Sequence, residues 1–264
     1  MLLGLAALGA GLLFVVPPIA QPQWYHDFAD RRSLFGIPYF WNVISNLLFL
    51  LVGGWGIWYV ASPTTPTDKF QDSTRLWMYV SFFCLVTLTG VGSAYYHLEP
   101  NNDRLVWDRL PIAALSMVLF AIIIAEHLSR RAGLLLFLPL VILGVASVGY
   151  WHLTEIWGKG DLRPYLLAQI YPALAIPIIL WLCRAKYTQR ATLYSAMAWY
   201  GGAKLCEFLD KDVYSLGHII SGHTLKHMGA AVSCYMILSW IRNRHLIANP
   251  SVAQPRRSIS YGRT

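Results

Sequence analysis

Charge is scarce in this chain. Only 13% of its 264 residues are Asp, Glu, Lys or Arg, against roughly 25% in a soluble domain, and 56% are hydrophobic, which excludes most soluble enzymes. Patterned cysteine is missing too. The four cysteines (Cys84, Cys183, Cys206 and Cys234) all fall inside apolar stretches without CxxC spacing, so neither a disulfide framework nor a cysteine metal site is expected. Long basic tracts are also absent. The formal net charge is +8, but the basic residues form short clusters between apolar runs and the mean hydropathy is +0.46. Nucleic acid is therefore a poor explanation of the charge, and membrane insertion a better one.

What is present is a series of apolar runs of membrane-spanning length. They cover approximately 2–20, 39–60, 76–96, 110–127, 133–153, 165–183, 191–209 and 218–241. Backbone groups cannot stay unpaired in hydrocarbon, and these runs are too long and too lacking in alternation for barrel strands, so each is predicted to be a helix. The expected fold is an all-α polytopic bundle, a seven-helix core preceded by one extra N-terminal hydrophobic helix. The expected divisions are 1–22 for that helix, 23–245 for the core and 246–264 for a basic tail. The first run has no Lys or Arg ahead of it and ends in Pro17-Pro18-Ile19-Ala20-Gln21-Pro22, which suits a retained helix or a cleaved signal segment; a retained helix is the expectation.

Counting spans assigns each connection to a side. Residues 21–38, 97–109, 154–164 and 210–217 share one side and carry seven Lys or Arg; 61–75, 128–132, 184–190 and 242–264 share the other and carry twelve, opposed only by Asp68 and Asp72. The Lys/Arg bias makes the second side cytoplasmic, with the C-terminal tail inside. The polar chemistry then gathers near the non-cytoplasmic face.

Ionisable residues within or at the ends of spans are costly and point to function. Ser93 and His97 stand at i and i+4 in Gly92-Ser93-Ala94-Tyr95-Tyr96-His97, and His223 and His227 stand at the same spacing in Gly222-His223-Thr224-Leu225-Lys226-His227. Residues so spaced share a helix face. An HxxxH pair can give two imidazoles to one Zn²⁺, and His97, on the same side by span parity, would be the third ligand, leaving a fourth position for water. Asp108, eleven residues after His97 and just before Pro111, suits a general base or a partner of a ligand imidazole; an ion pair with Arg104 or Arg109, or a helix cap, is the plainer reading. Ser93 suits an oxyanion donor or, beside Gly92, close helix packing. Lys204, Glu207 and Asp210 form an inward stripe that can neutralise itself, and Asn42, Ser45 and Asn46 read as helix–helix hydrogen bonding. His152 with Glu155 is a second candidate polar pair, His218 a weak ligand candidate, and His26, His127 and His245 read as interfacial.

A water-activating zinc at the end of a bundle suits hydrolysis of a membrane lipid amide or ester at headgroup depth. The runs GSAYYHLEPNNDRLVWDRLP, HTLKH and FWNVISNLLF resemble the alkaline ceramidase family, within the wider group of seven-helix membrane hydrolases that includes the adiponectin-receptor-like proteins. The likeness covers roughly residues 27–241. It implies zinc on His97, His223 and His227, a catalytic aspartate at Asp108, an oxyanion-side serine at Ser93, and hydrolysis of the amide of ceramide or a related N-acyl lipid. Another lipid amide or ester, or a non-catalytic receptor or scaffold, is the alternative. The chain departs from the family's calcium-binding pattern: Tyr39 stands where a glutamate is expected, and Arg31 and Arg32 offset Asp27 and Asp30, which argues against a calcium site.

Overall fold

The computed structural model describes residues 1–66, 69–70 and 73–247, with the backbone alone for 73–75. Asp68, Asp72, the side chain of Arg75 and nearly all of the basic tail, including Arg256, Arg257 and Arg263, lie outside the described residues. The rest is an all-α bundle: α1 (Leu2–Val15), α2 (Phe40–Ile44), α3 (Leu47–Ala61), α4 (Ser73–Leu98), α5 (Asn102–Ile123) with a π-helical turn Ile124–Leu128, α6 (Arg130–Ile156), α7 (Arg163–Leu182), α8 (Arg190–Phe208), α9 (Asp210–Ser215) and α10 (Gly222–Asn243).

Among the described residues, five segments are long and apolar enough to cross a membrane: Phe40–Ala61, Leu76–Leu98, Asn102–Leu128, Arg130–Ile156 and Arg163–Leu182. The protein is a multi-pass integral membrane protein. Its outward faces are apolar, with Leu135, Leu138 and Ile142 exposed along α6 and Trp58, Trp77 and Trp181 near helix ends, as lipid contact requires. Two further helices of similar length, α8 and α10, fall short in hydropathy because they carry Lys204, Glu207, His223, Lys226 and His227. The polarity that lowers their hydropathy is the polarity that builds the site.

Lipid tails are as apolar as leucine, so helix association depends on close packing and hydrogen bonds rather than on expulsion of water. Small residues supply that packing on α8 and α10, where the Gly229 position faces Ala203 and Ser233 Oγ donates to the Ala196 carbonyl at 2.8 Å. α5 runs through the centre, with two-thirds of its apolar window buried, and packs on α4, α6 and α7. α7 and α8, although consecutive, keep their backbones apart and are joined through side chains, Tyr194 Oη donating to the Leu180 carbonyl at 3.2 Å. α1 lies on the outside against α7, anchored by Arg163 Nη1, which donates to the Leu13 and Val16 carbonyls.

Two local readings are corrected. The run 39–60 is not one uninterrupted helix: Ser45 and Asn46 form a turn between α2 and α3, where their short polar side chains bond to the Asn42 carbonyl. Short polar side chains of this kind compete with helical backbone bonding. Pro111 does not begin the fourth span. Asn101 caps α5, its side chain accepting from Arg104 N–H at 2.9 Å, so Pro111 falls inside the helix and has no N–H to give to the Trp107 carbonyl one turn back.

The loops group as span parity requires. At one end Gln21 N–H meets Glu155, His26 meets Tyr96 and Asn102, and Ala29 N–H meets Asp210. At the opposite end, fully buried Arg244 donates to Tyr79 Oη at 2.7 Å and to the Lys69 carbonyl and lies 3.3 Å from Glu126, while Lys69 Nζ donates to the Arg244 carbonyl at 2.5 Å. This knot ties the end of α10 to α4 and to the π turn. Removing one partner of a buried ion pair costs about 3–5 kcal/mol, so Arg244→Met is expected to lower the melting temperature in detergent while leaving metal content unchanged. An unaltered melting temperature would show that the knot does not hold the bundle.

Candidate metal centre

His97 lies in the last turn of α4, and His223 and His227 lie in the first turns of α10. All three are buried. Their ring centroids are 4.9 Å (His97–His223), 5.0 Å (His97–His227) and 4.9 Å (His223–His227) apart, a nearly equilateral triangle. One ring nitrogen from each lies within 4.8 Å of the others.

The hydrogen bonds decide which nitrogens face inward. Ser45 Oγ lies 3.2 Å from the Asn42 carbonyl and 2.8 Å from His227 Nδ1; in the tautomer with the proton on Nδ1, that nitrogen donates to Ser45 while Ser45 donates to the carbonyl. His227 Nε2 is then left with a bare lone pair and no partner. His223 Nε2 lies 3.0 Å from the Lys226 ammonium, which can only donate, so it also presents a lone pair. The His97 and His223 Nε2 atoms are 3.2 Å apart; two nitrogens at about 2.0–2.1 Å from one tetrahedral ion stand about 3.3–3.4 Å apart. Three imidazole nitrogens, one of them orphaned, therefore fit a divalent metal ion. His97 Nδ1 is buried without a partner, whereas His227 Nδ1 lies against Ser45.

Two close backbone contacts set the site's geometry. A β-carbon at Gly92 would collide with the Trp107 carbonyl, the one Pro111 leaves without its helical donor. α4 and α5 thus touch one residue before Ser93 and one before Asp108. Both functional side chains are buried and line the same cavity. In the same way a β-carbon at Gly222 would collide with the Cys206 carbonyl and crowd Asp210, so α10 begins hard against α8 and α9 one residue before His223. Asp210 then caps α10, accepting from His223 N–H at 2.7 Å through Oδ1 and from Ala29 N–H at 2.9 Å through Oδ2.

The candidate residues from the sequence sort as follows. His97, His223 and His227 come together, and Ser93, Asp108 and His227 line one cavity of about 460 Å³. Asp108 is not paired with its neighbours: Arg104 binds Glu99 at 2.6 Å, and Arg109 donates to Gln21 at 2.6 Å inside a cage of Tyr25, Trp151 and Tyr165. Lys204 and Glu207 pair at 2.6 Å, whereas Asp210 turns away to cap α10. His152 and Glu155 do not form the candidate pair; His152 is nearest Asp103 and Glu155 accepts from Trp151 and Gln21. His218 meets the Tyr214 ring edge-on, with centroids 4.9 Å apart. Asp27 and Asp30 are engaged by Arg31, Lys211 and Arg32.

Sequence reasoning missed two contributors. Ser45 is more than a packing residue, because it orients a ligand imidazole. Phe28 is buried with its ring 4.6 Å from that of His97 and 4.4 Å from that of His223, closing the site from the loop side. Only an isolated Phe in a polar stretch could have signalled it.

No protein-family model, curated protein or solved structure matches the chain. Fold and site alone define the class: a polytopic membrane helix bundle with a buried three-histidine site capable of holding a divalent ion, consistent with metal-dependent intramembrane hydrolysis.

Loss of a hydrogen bond that orients a ligand histidine typically weakens metal affinity by about 10–100-fold. Ser45→Ala is expected to do so with the helical circular dichroism intact, measured by competition with a chelating dye. Parent-like affinity would remove Ser45 from the site. Gly92→Ala, by contrast, is expected to destabilise the fold by about 1–3 kcal/mol through overpacking, read as a lower melting temperature; a parent-like melting temperature would show that α4 and α5 have room to spare there.

Proposed function

We propose that the protein is a zinc-dependent intramembrane amidohydrolase that cleaves the amide bond of ceramide or a related N-acyl lipid to a fatty acid and a free amine. The observation that carries this reading is the junction of the three-imidazole site with a long apolar cavity. Polar groups (Ser93, Asp108, Lys204, Lys226 and His227) and apolar walls (Phe49, Phe82, Leu115, Leu119, Ile176 and Leu180) line the same space. Its volume falls in the roughly 300–1,000 Å³ range of ligand pockets. Residues of α7 and α8 both line it, and their backbones stand apart, which leaves the space between them to side chains and to an acyl chain.

The resemblance to the alkaline ceramidase family supports the assignment of roles, as does a donor set of three imidazoles, which suits zinc. In this reading the core comprises seven membrane helices, α2–α3 counting as one with α4, α5, α6, α7, α8 and α10, and α1 is the addition. The site opens near the non-cytoplasmic face, and the C-terminus is cytoplasmic.

When bound, the metal supplies Lewis acidity that polarises a carbonyl and acidifies water in the site. The chain's own residues do the rest. The cavity walls hold the acyl chain and set the scissile bond at the depth of the histidines. Asp108 accepts the proton of the attacking water and passes it to the leaving nitrogen. Ser93, buried and lining the same cavity as Asp108, donates its hydroxyl proton to the developing oxyanion. Phe28, above the histidines, restricts bulk water.

General acid–base catalysis contributes about 10²–10⁴-fold. Asp108→Asn, purified in detergent, is accordingly expected to retain its metal and lose fatty-acid release from ceramides and other N-acyl lipids by that factor. Hydrolysis at the parent rate would overturn the general-base role. Stoichiometric metal with no release from ceramides, N-acyl lipids or phospholipids would favour a receptor or scaffold.

A further inference from the structure

We propose, resting on the hydrolase reading above, that the preferred substrate is not a neutral lipid amide but one whose polar end carries an anion, a carboxylate or phosphate, received by Lys226 with Lys204 beside it. Both lysines line the cavity that also exposes Ser93, Asp108 and His227. They project from facing helices, α8 and α10, and share one carboxylate: Glu207 accepts from Lys204 at 2.6 Å and from Lys226 at 3.0 Å. Glu207 is thus divided between two ammonium groups. Asp108, a second carboxylate, lines the same cavity, so the polar end turns net positive once a divalent metal ion is held by the three neutral imidazoles.

The third contact of Lys226 is decisive. Its Nζ lies 3.0 Å from His223 Nε2, the same nitrogen that lies 3.2 Å from His97 Nε2 and that a metal would take. One lone pair cannot serve both an ammonium and a metal ion. With a metal bound, that N–H of Lys226 is released, and the added divalent charge makes the field at the polar end of the cavity positive. The Lys226 side chain is only 16% exposed and shares its carboxylate partner, Glu207, with Lys204, so the N–H that a metal would release meets little bulk water and gains from an anion. A neutral headgroup supplies none. A substrate anion does, and since Lys226 precedes one ligand and follows another by three residues, that anion sits beside the scissile bond. An N-acylglycine, with its carboxylate one methylene beyond the amide nitrogen, meets this description.

The test compares lipids of one acyl chain: N-palmitoylglycine and palmitoyl lysophosphatidic acid, both anionic, against N-palmitoylethanolamine and palmitoyl ceramide, both neutral. Dissociation constants are measured on metal-replete protein in the Asp108→Asn background, which separates binding from turnover, and kcat/KM is measured on the parent. At least one anionic lipid is expected to bind on the order of tenfold more tightly than the neutral ones, the worth of a charged hydrogen bond, and which of the two does so distinguishes carboxylate from phosphate. Lys226→Met should abolish the preference by weakening the anionic lipids alone, whereas Glu207→Gln, which frees both lysines, should strengthen it. A purely structural ion pair would not produce that gain. Equal binding of anionic and neutral lipids by the parent, or a preference that survives Lys226→Met, would overturn the proposal. Anion preference without hydrolysis of any lipid would leave the subsite standing and remove the hydrolase; efficient ceramide hydrolysis without anion preference would do the reverse.

Discussion

The bundle must hold nitrogen lone pairs from His97, His223 and His227 against one another, out of water. Burying a polar group without a partner is costly, and here His227 Nε2 has none while His97 and His223 press their Nε2 atoms to 3.2 Å. Much of the surrounding structure serves to sustain that arrangement. Gly222 seats α10 against α8 and α9, Asp210 caps it, Thr224 ties it to Asn42 at 2.8 Å, and Ser45 fixes the His227 ring. These contacts come from four separate parts of the chain, so the site forms only when the bundle does.

A hydrogen-bonded break between α2 and α3, a proline inside α5 and polar residues on α8 and α10 each depart from an ideal membrane helix, and each lies at or beside the site. Such departures are tolerated in a bilayer where protein rather than lipid surrounds them. Ser45 and Asn46 are buried, Pro111 lies in the most buried helix, and the charged residues of α8 and α10 pair with one another.

Much of this was legible in the sequence. Apolar runs marked the helices, and i, i+4 spacing with span parity brought His97 to the end of the bundle that holds His223 and His227. What stayed hidden depends on contacts distant in sequence. The run 39–60 reads as one helix because hydropathy is blind to the hydrogen bonds of Ser45 and Asn46. Pro111 reads as a helix start because Asn101, the actual cap, stands ten residues earlier in a polar stretch. Residues 21–38 read as an ordinary loop, yet Phe28 reaches the histidines because Asp210, some 180 residues away, takes the Ala29 N–H.

The most direct test is X-ray absorption at the zinc edge, with elemental analysis, on protein purified without added chelator. The account predicts about one metal ion per chain and an inner shell with three imidazole nitrogens at about 2.0–2.1 Å, reduced in the His223→Ala variant. A chain that folds and purifies free of bound metal, or a metal whose shell lacks histidine nitrogens, would contradict it.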